Sequence, residues 1–145
     1  MTISGAVRSA FKELCMTTIQ PIEYGDASPQ VRAVYDDIKK TRNVPDVNNF
    51  WKYLAGDPVA LKRTWESVKE IMAAGTLDRL TKEMIYVAVS VTNGCPYCIA
   101  THIAAARRAG MTDAMFGELM AVVGMANETN RLANGYRVPI DADLK

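Results

Sequence analysis

Twice in this chain a capping residue is followed at once by proline and then by a stripe of apolar side chains at helical spacing. No other feature limits the fold as tightly. "SPQVRAVYDDIKKTRN" sets Ser28 before Pro29, and its apolar residues Val31, Val34, Tyr35 and Ile38 fall on one face. "DPVALKRTWESVKEIMAAG" sets Asp57 before Pro58, stripes Leu61, Trp65, Val68 and Met72, and meets Gly75. A serine or aspartate side chain accepts a hydrogen bond from an otherwise orphaned amide of the first turn. Proline at the first helical position lacks only a donor that would have had no partner there. Both segments are therefore predicted helices. "NNFWKYLAG", closing at Gly56, reads as a short one between them.

The second half continues the pattern with one ambiguity. "PYCIATHIAAARRAG" reads as a helix from Pro96 to Gly110. "TDAMFGELMAVVGMANETNRLANG" reads as a long one capped by Thr112, with Phe116, Leu119, Met120 and Val123 toward the core and an irregular tail from Tyr136. Between them and the first half lies "LTKEMIYVAVSVTNG". Its Ile85, Val87, Val89 and Val91 alternate as in a strand. Its Met84, Ile85, Ala88 and Val91 also share a helical face, with Thr81 as a cap and Asn93-Gly94 as a stop. Periodicity alone leaves both readings open. The tryptophans, Phe116 and the methionines stand at helical spacing and read as core or subunit packing.

Asn93 to His102, "NGCPYCIATH", holds two cysteines three apart and the only histidine of the chain. Cys95-Pro96-Tyr97-Cys98 is also the redox tetrapeptide of the glutaredoxins, and Val138-Pro139 resembles a later feature of that fold. A thioredoxin-like domain needs two strands and a helix after that proline, and only residues 140–145 follow it here. Residues 99–137 carry two helical segments and no strand between them. A bundle of antiparallel helices accommodates the whole chain, with the dithiol at the start of a core helix that packs back on residues 81–92.

Hydrophobic residues make up 49% of the 145 and charged ones 23%, the balance of one globular domain, with 17 Lys and Arg against 16 Asp and Glu. A net charge of +1 does not call for nucleic acid or an anionic membrane as partner. No apolar run approaches the roughly 20 residues of a membrane span. The opening "MTISGAVRSAFKELC" is broken by Arg8, Lys12 and Glu13 and does not read as a secretory signal. The expected setting is cytoplasmic, where paired cysteines serve catalysis or metal binding more often than structure. Cys15 reads as a plain, partly buried thiol. The expected organisation is a single domain over 1–145, with an extension at 1–25 and a helical core at 28–135.

The chemistry follows from spacing. Residues three apart on a helix have Cα atoms about 5 Å apart, inside the range a disulfide requires. Unpaired amides and the dipole at a helix N-terminus favour thiolate, the reactive form of cysteine. His102 lies one turn beyond Cys98 on the same face, where an imidazole can accept the thiol proton. Position at the helix end favours Cys95 as the more acidic thiol, whereas His102 favours Cys98. Glu83 either joins this group from the preceding helix or is a solvated acid paired with Lys82 or Arg79. The same Cys, Cys, His and Glu could also form a zinc site, although three of the four would crowd one helix.

These residues resemble the signature of the AhpD-like alkylhydroperoxidase family, within the carboxymuconolactone decarboxylase superfamily: Glu, eleven residues, then Cys-x-x-Cys-x-x-x-His. Here it reads Glu83, eleven residues, Cys95-Pro96-Tyr97-Cys98, three residues, His102. The resemblance is strong from about Leu54 to Thr129, weaker over 28–53, and absent from the first 25 residues and the tail. It implies an all-α fold, a helix over 81–92, and a homo-oligomer, commonly a trimer or hexamer. It implies a peroxidase that needs no cofactor, with Cys98 as the peroxidatic sulfur, Cys95 as the resolving one, and His102 and Glu83 as proton relay. The substrate would be a hydroperoxide and the reductant an external dithiol of lipoamide or thioredoxin type. In peroxidase members the residue before the second cysteine is a relay histidine. Here Tyr97 stands there, and a phenol donates a hydrogen bond but is a poor base at neutral pH. The decarboxylase branch lacks the cysteine pair. Two other expectations use the same residues: a helical redox sensor whose disulfide alters an oligomer interface, and the zinc site.

Overall fold

The computed structural model describes residues 19–144, in which six α-helices are joined by short turns and no strand occurs. They are α1 (Pro29–Arg42), α2 (Asn49–Leu54), α3 (Pro58–Ile71), α4 (Arg79–Thr92), α5 (Pro96–Arg108) and α6 (Asp113–Tyr136). Single 3-10 turns lie at Tyr24–Asp26 and Ala142–Leu144. The fold is all-α, as expected, and the ambiguous stretch is helix. Cys15 and most of the N-terminal extension lie outside the described residues. The chain divides into two compact units, one ending at Ile71 and the other starting at Met72.

In the first unit α1 packs on α3, and α2 packs on α3. Ser28 caps α1 by accepting from the Val31 N–H, and the four apolar residues expected on one face of α1 are all buried. Tyr35 and Leu61 are wholly inaccessible, and burying a side chain of that size contributes about 1.5–3 kcal/mol. Trp51 meets Trp65 edge to face at 5.5 Å, an arrangement the ring quadrupoles favour. The Trp65 indole N–H donates to Asp37, which also receives Lys69. Lys69, and then the indole, hold the Asp37 carboxyl below the usual carboxylate range. Lys52 is buried yet paired on both sides, with its Nζ 2.7 Å from Asp46 and 2.7 Å from Glu23. Those two carboxylates, Asp46 foremost, raise its pKa above the ordinary lysine value.

The second unit positions the cysteines. Asp78 caps α4 by accepting from both the N–H and the hydroxyl of Thr81. The sequence suggests Thr81 as the cap, but the charged acceptor three residues earlier takes both of its donors and the helix starts there. At the far end Gly94 adopts φ +65°, a left-handed conformation that residues with a Cβ rarely take. The Cys95 N–H donates across this turn to the Ser90 carbonyl. The tight reversal makes α4 and α5 antiparallel neighbours, and they share the most extensive helix–helix contact in the described residues. α6 packs on α4 as well, and the Asn127 side chain donates to the Thr92 hydroxyl.

The buried stripe of α4 is Glu83, Val87 and Ser90, one position off the face that hydropathy selects. Ile85 and Val89 are about half exposed. Two of the three inward residues are polar, so a hydropathy pattern does not mark them. They are tolerated because their hydrogen bonds are made inside the unit: Ser90 donates to the Tyr86 carbonyl and Glu83 accepts from His102.

Candidate active site

Cys95 is the N-cap of α5, in extended backbone, and Pro96 takes the first helical position. Its sulfur accepts the Cys98 N–H at 3.2 Å. Cysteine thus does here what serine or aspartate does at an ordinary cap, and the helix N-terminus bears on that sulfur directly. The Cα atoms of Cys95 and Cys98 are 5.4 Å apart and the two sulfurs are bonded as a disulfide. Both residues are partly accessible. The separation estimated from helix geometry is therefore met, with only the first turn of α5 involved.

One turn further along α5 stands His102, its side chain 19% exposed. From α4, Glu83 places a carboxylate oxygen 2.7 Å from His102 Nδ1. Glu83 is almost fully enclosed; its other oxygen lies 3.9 Å from the exposed Arg79 guanidinium. A carboxylate can only accept, so the pairing puts the imidazole proton on Nδ1 and leaves Nε2 with the basic lone pair. Of the two readings of Glu83, the structure selects the one in which it meets the histidine. Local spacing could not supply this, because the contact joins residues on two helices.

Tyr97 is 41% exposed on the first turn of α5, and its carbonyl accepts the Thr101 hydroxyl. Sequence reasoning did not single out Tyr86. Its ring stacks on the His102 imidazole with centroids 3.5 Å apart and planes 15° from parallel. The signal was available: Tyr86 lies three residues after Glu83 and so shares its face of α4. For the zinc alternative, no group of three or more His, Cys, Asp and Glu side chains able to hold a metal forms among the described residues.

A bonded cysteine pair and an imidazole on α5 thus meet a buried carboxylate from α4. The sequence profile described as "Carboxymuconolactone decarboxylase family" matches residues 58–141, more than half of the chain. The chain belongs to that family. Among solved structures it is similar to the crystal structure of the alkylhydroperoxidase AhpD core from Rhodospirillum rubrum. The two are 47% identical with a TM-score of 0.86, over 89% of this chain and 97% of the other. An AhpD-like helical fold follows for this member of the carboxymuconolactone decarboxylase family. A curated relative, "Uncharacterized protein 4 in cox locus" of Paracoccus denitrificans, is 43% identical over 54 residues. That match covers 37% of this chain, and the chain spans about half the length of that relative. No helix among the described residues is long and apolar enough to cross a membrane.

Proposed function

We propose that this protein is a cofactor-free dithiol peroxidase that reduces alkyl hydroperoxides at Cys98 and is restored by an external dithiol. The observation that carries this is the bonded Cys95–Cys98 pair at the start of α5, one turn from an imidazole that a buried carboxylate holds by Nδ1.

In the reduced protein, His102 Nε2 takes the proton of Cys98. The thiolate attacks the terminal oxygen of ROOH, the O–O bond breaks, and the proton returned by His102 leaves with the alkoxide as alcohol. Cys98 is then a sulfenic acid. The Cys95 thiolate attacks the Cys98 sulfur and forms the disulfide. The hydroxide that leaves takes a proton and departs as water. An external dithiol gives up two electrons and two protons by exchange and regenerates both thiols. Where that donor attacks Cys98, the departing Cys95 thiolate is received by the Cys98 N–H that already bonds its sulfur. Glu83 fixes the imidazole tautomer and stabilises the imidazolium while the proton is in transit. Tyr97, at the position of the family's relay histidine, donates a hydrogen bond toward the peroxide rather than acting as a base. The lipoamide or thioredoxin type of dithiol is the expected donor, and the cytoplasm, where thiols are kept reduced, is the expected setting.

The test is peroxide consumption with a panel of dithiol donors, with mass spectrometry of the cysteines. Cys98→Ser should abolish consumption; Cys95→Ser should turn over once and stop at the sulfenic acid. Full activity in Cys98→Ser would remove the assignment. Oxidation once per dithiol, with no cycling on any donor, would favour the redox sensor.

A further inference from the structure

We infer that Tyr86 is a positioning residue for His102: its ring, stacked on the imidazole, and the Glu83 carboxylate at the imidazole's edge together hold Nε2 on one bearing. The inference rests on the reading of His102 as the base that serves Cys98.

One hydrogen bond does not fix an aromatic ring. The Nδ1 bond to Glu83 sets where one edge of His102 lies, but the ring can still turn about the Nδ1···Oε2 line. The second side-chain torsion of histidine is broad and does not resist this turn. A base that turns loses aim at its proton, and misplacement by about 1 Å can cost a hundredfold in rate. The missing constraint is contact against the ring face, and Tyr86 supplies it at 3.5 Å and 15° from parallel.

Both constraints come from one helix. Glu83 and Tyr86 are three residues apart, so α4 presents a carboxylate and an aromatic plate one turn from each other. The plate is itself tied in. Its backbone carbonyl accepts the buried Ser90 hydroxyl, and Ser90 in turn receives the Cys95 N–H on its own carbonyl. The segment that aims the histidine is thus connected by hydrogen bonds to the N-cap that carries the first sulfur. Tyr86 is still 38% exposed, as expected of a ring that spends one face on the imidazole. The stacked face is common to tyrosine and phenylalanine, so the inference assigns the work to the ring and not to its hydroxyl.

The closing experiment uses the full chain, reduced with dithiothreitol and then freed of it, and two independent readouts. His102 is the only histidine in the sequence, so ¹⁵N-histidine labelling gives a single imidazole whose nitrogen shifts report the tautomer. Its carbon-bound protons report the ring current of Tyr86. The second readout is the alkylation rate of the reduced dithiol by iodoacetamide, with His102→Ala as reference. In Tyr86→Leu the upfield ring-current displacement should vanish and alkylation should slow about 3–10-fold, the factor a stacked aromatic pair is worth, while the nitrogens keep the Nδ1–H tautomer that Glu83 sets. Tyr86→Phe should restore both the displacement and the rate. Tyr86→Leu with unchanged imidazole signals and a rate within twofold would overturn the inference, as would Tyr86→Phe behaving like Tyr86→Leu. If His102→Ala alkylates as fast as the unaltered protein, the proton relay fails instead, and the imidazole signals still decide the role of Tyr86.

Discussion

Replacing Glu83 by glutamine removes one negative charge from the centre of the site and almost nothing else. The carboxylate is 6% exposed and its imidazole partner 19%, so water screens the pair weakly. A hydrogen bond to a charged group contributes about 1.5–3 kcal/mol and a neutral one about 1 kcal/mol. The difference, about 0.5–2 kcal/mol, is what the imidazolium loses in the step where His102 carries the thiol proton. At 1.36 kcal/mol per factor of ten, Cys98 activation should slow about 2–30-fold. Arg79, 63% exposed and 3.9 Å away, changes this little. Glutamine also presents a donor as well as an acceptor, so it can turn its NH₂ toward Nδ1 and force the proton to Nε2. That outcome would push the loss beyond the upper figure. The variant should fold normally, because a buried carboxylate costs more to desolvate than an amide. The assay is the iodoacetamide alkylation rate at pH 7 alongside peroxide consumption with a saturating dithiol donor. Both rates should fall together. If both stay within a factor of two while the sole imidazole keeps its tautomer, the buried carboxylate is structural and the relay reasoning is wrong.

Lys52 gives a prediction away from the site. Its folded pKa is raised by Asp46 and Glu23, so its contribution is fully present below the unfolded value of about 10.4 and is lost only as pH climbs through the folded one. The Asp46 carboxyl is lowered, chiefly by Lys52, so its share is present above about pH 4 and disappears as acid protonates it. Lys52→Met should therefore lower the melting temperature at pH 7 and flatten its decline below pH 4; a melting curve unmoved at pH 7 would refute this. Ile85 and Val89 on α4, and Val122 and Met125 on α6, are each half exposed or more. We expect a homo-oligomer, a trimer or hexamer, that covers such side chains. Light scattering of the full chain should give a mass at least threefold the 15.9 kDa of one chain, and Val89→Lys should reduce it. A monomer across micromolar concentrations would remove that expectation.

Much of the fold is local physics, and local physics is written in the sequence. Ser28, Asp57 and Thr112 cap the helices assigned to them, because a short acceptor side chain reaches the amides of the first turn wherever the chain goes next. The stripe on α1 is buried as its period requires. The start of α5 at Cys95-Pro96 and the reach between its two sulfurs follow from the dimensions of one helical turn. The helix over 81–92 was not decided by periodicity, since alternating β-branched residues also suit a strand. Resemblance to a known family, and then the packing of α4 against α5, decided it.

The sequence by itself determined a set of capped helices with a dithiol at one N-terminus and a histidine a turn beyond it, since all of these depend on contacts within about four residues. Only the tertiary structure decided what surrounds that histidine. Glu83 and Tyr86 are 19 and 16 positions earlier in the chain. They reach the imidazole because the left-handed turn at Gly94 folds α4 back along α5. The burial of polar Glu83, against its hydropathy, has the same origin: its carboxylate is satisfied by an imidazole that reaches it only when α4 and α5 pack, whereas the Ser90 hydroxyl finds its acceptor four residues back on its own helix.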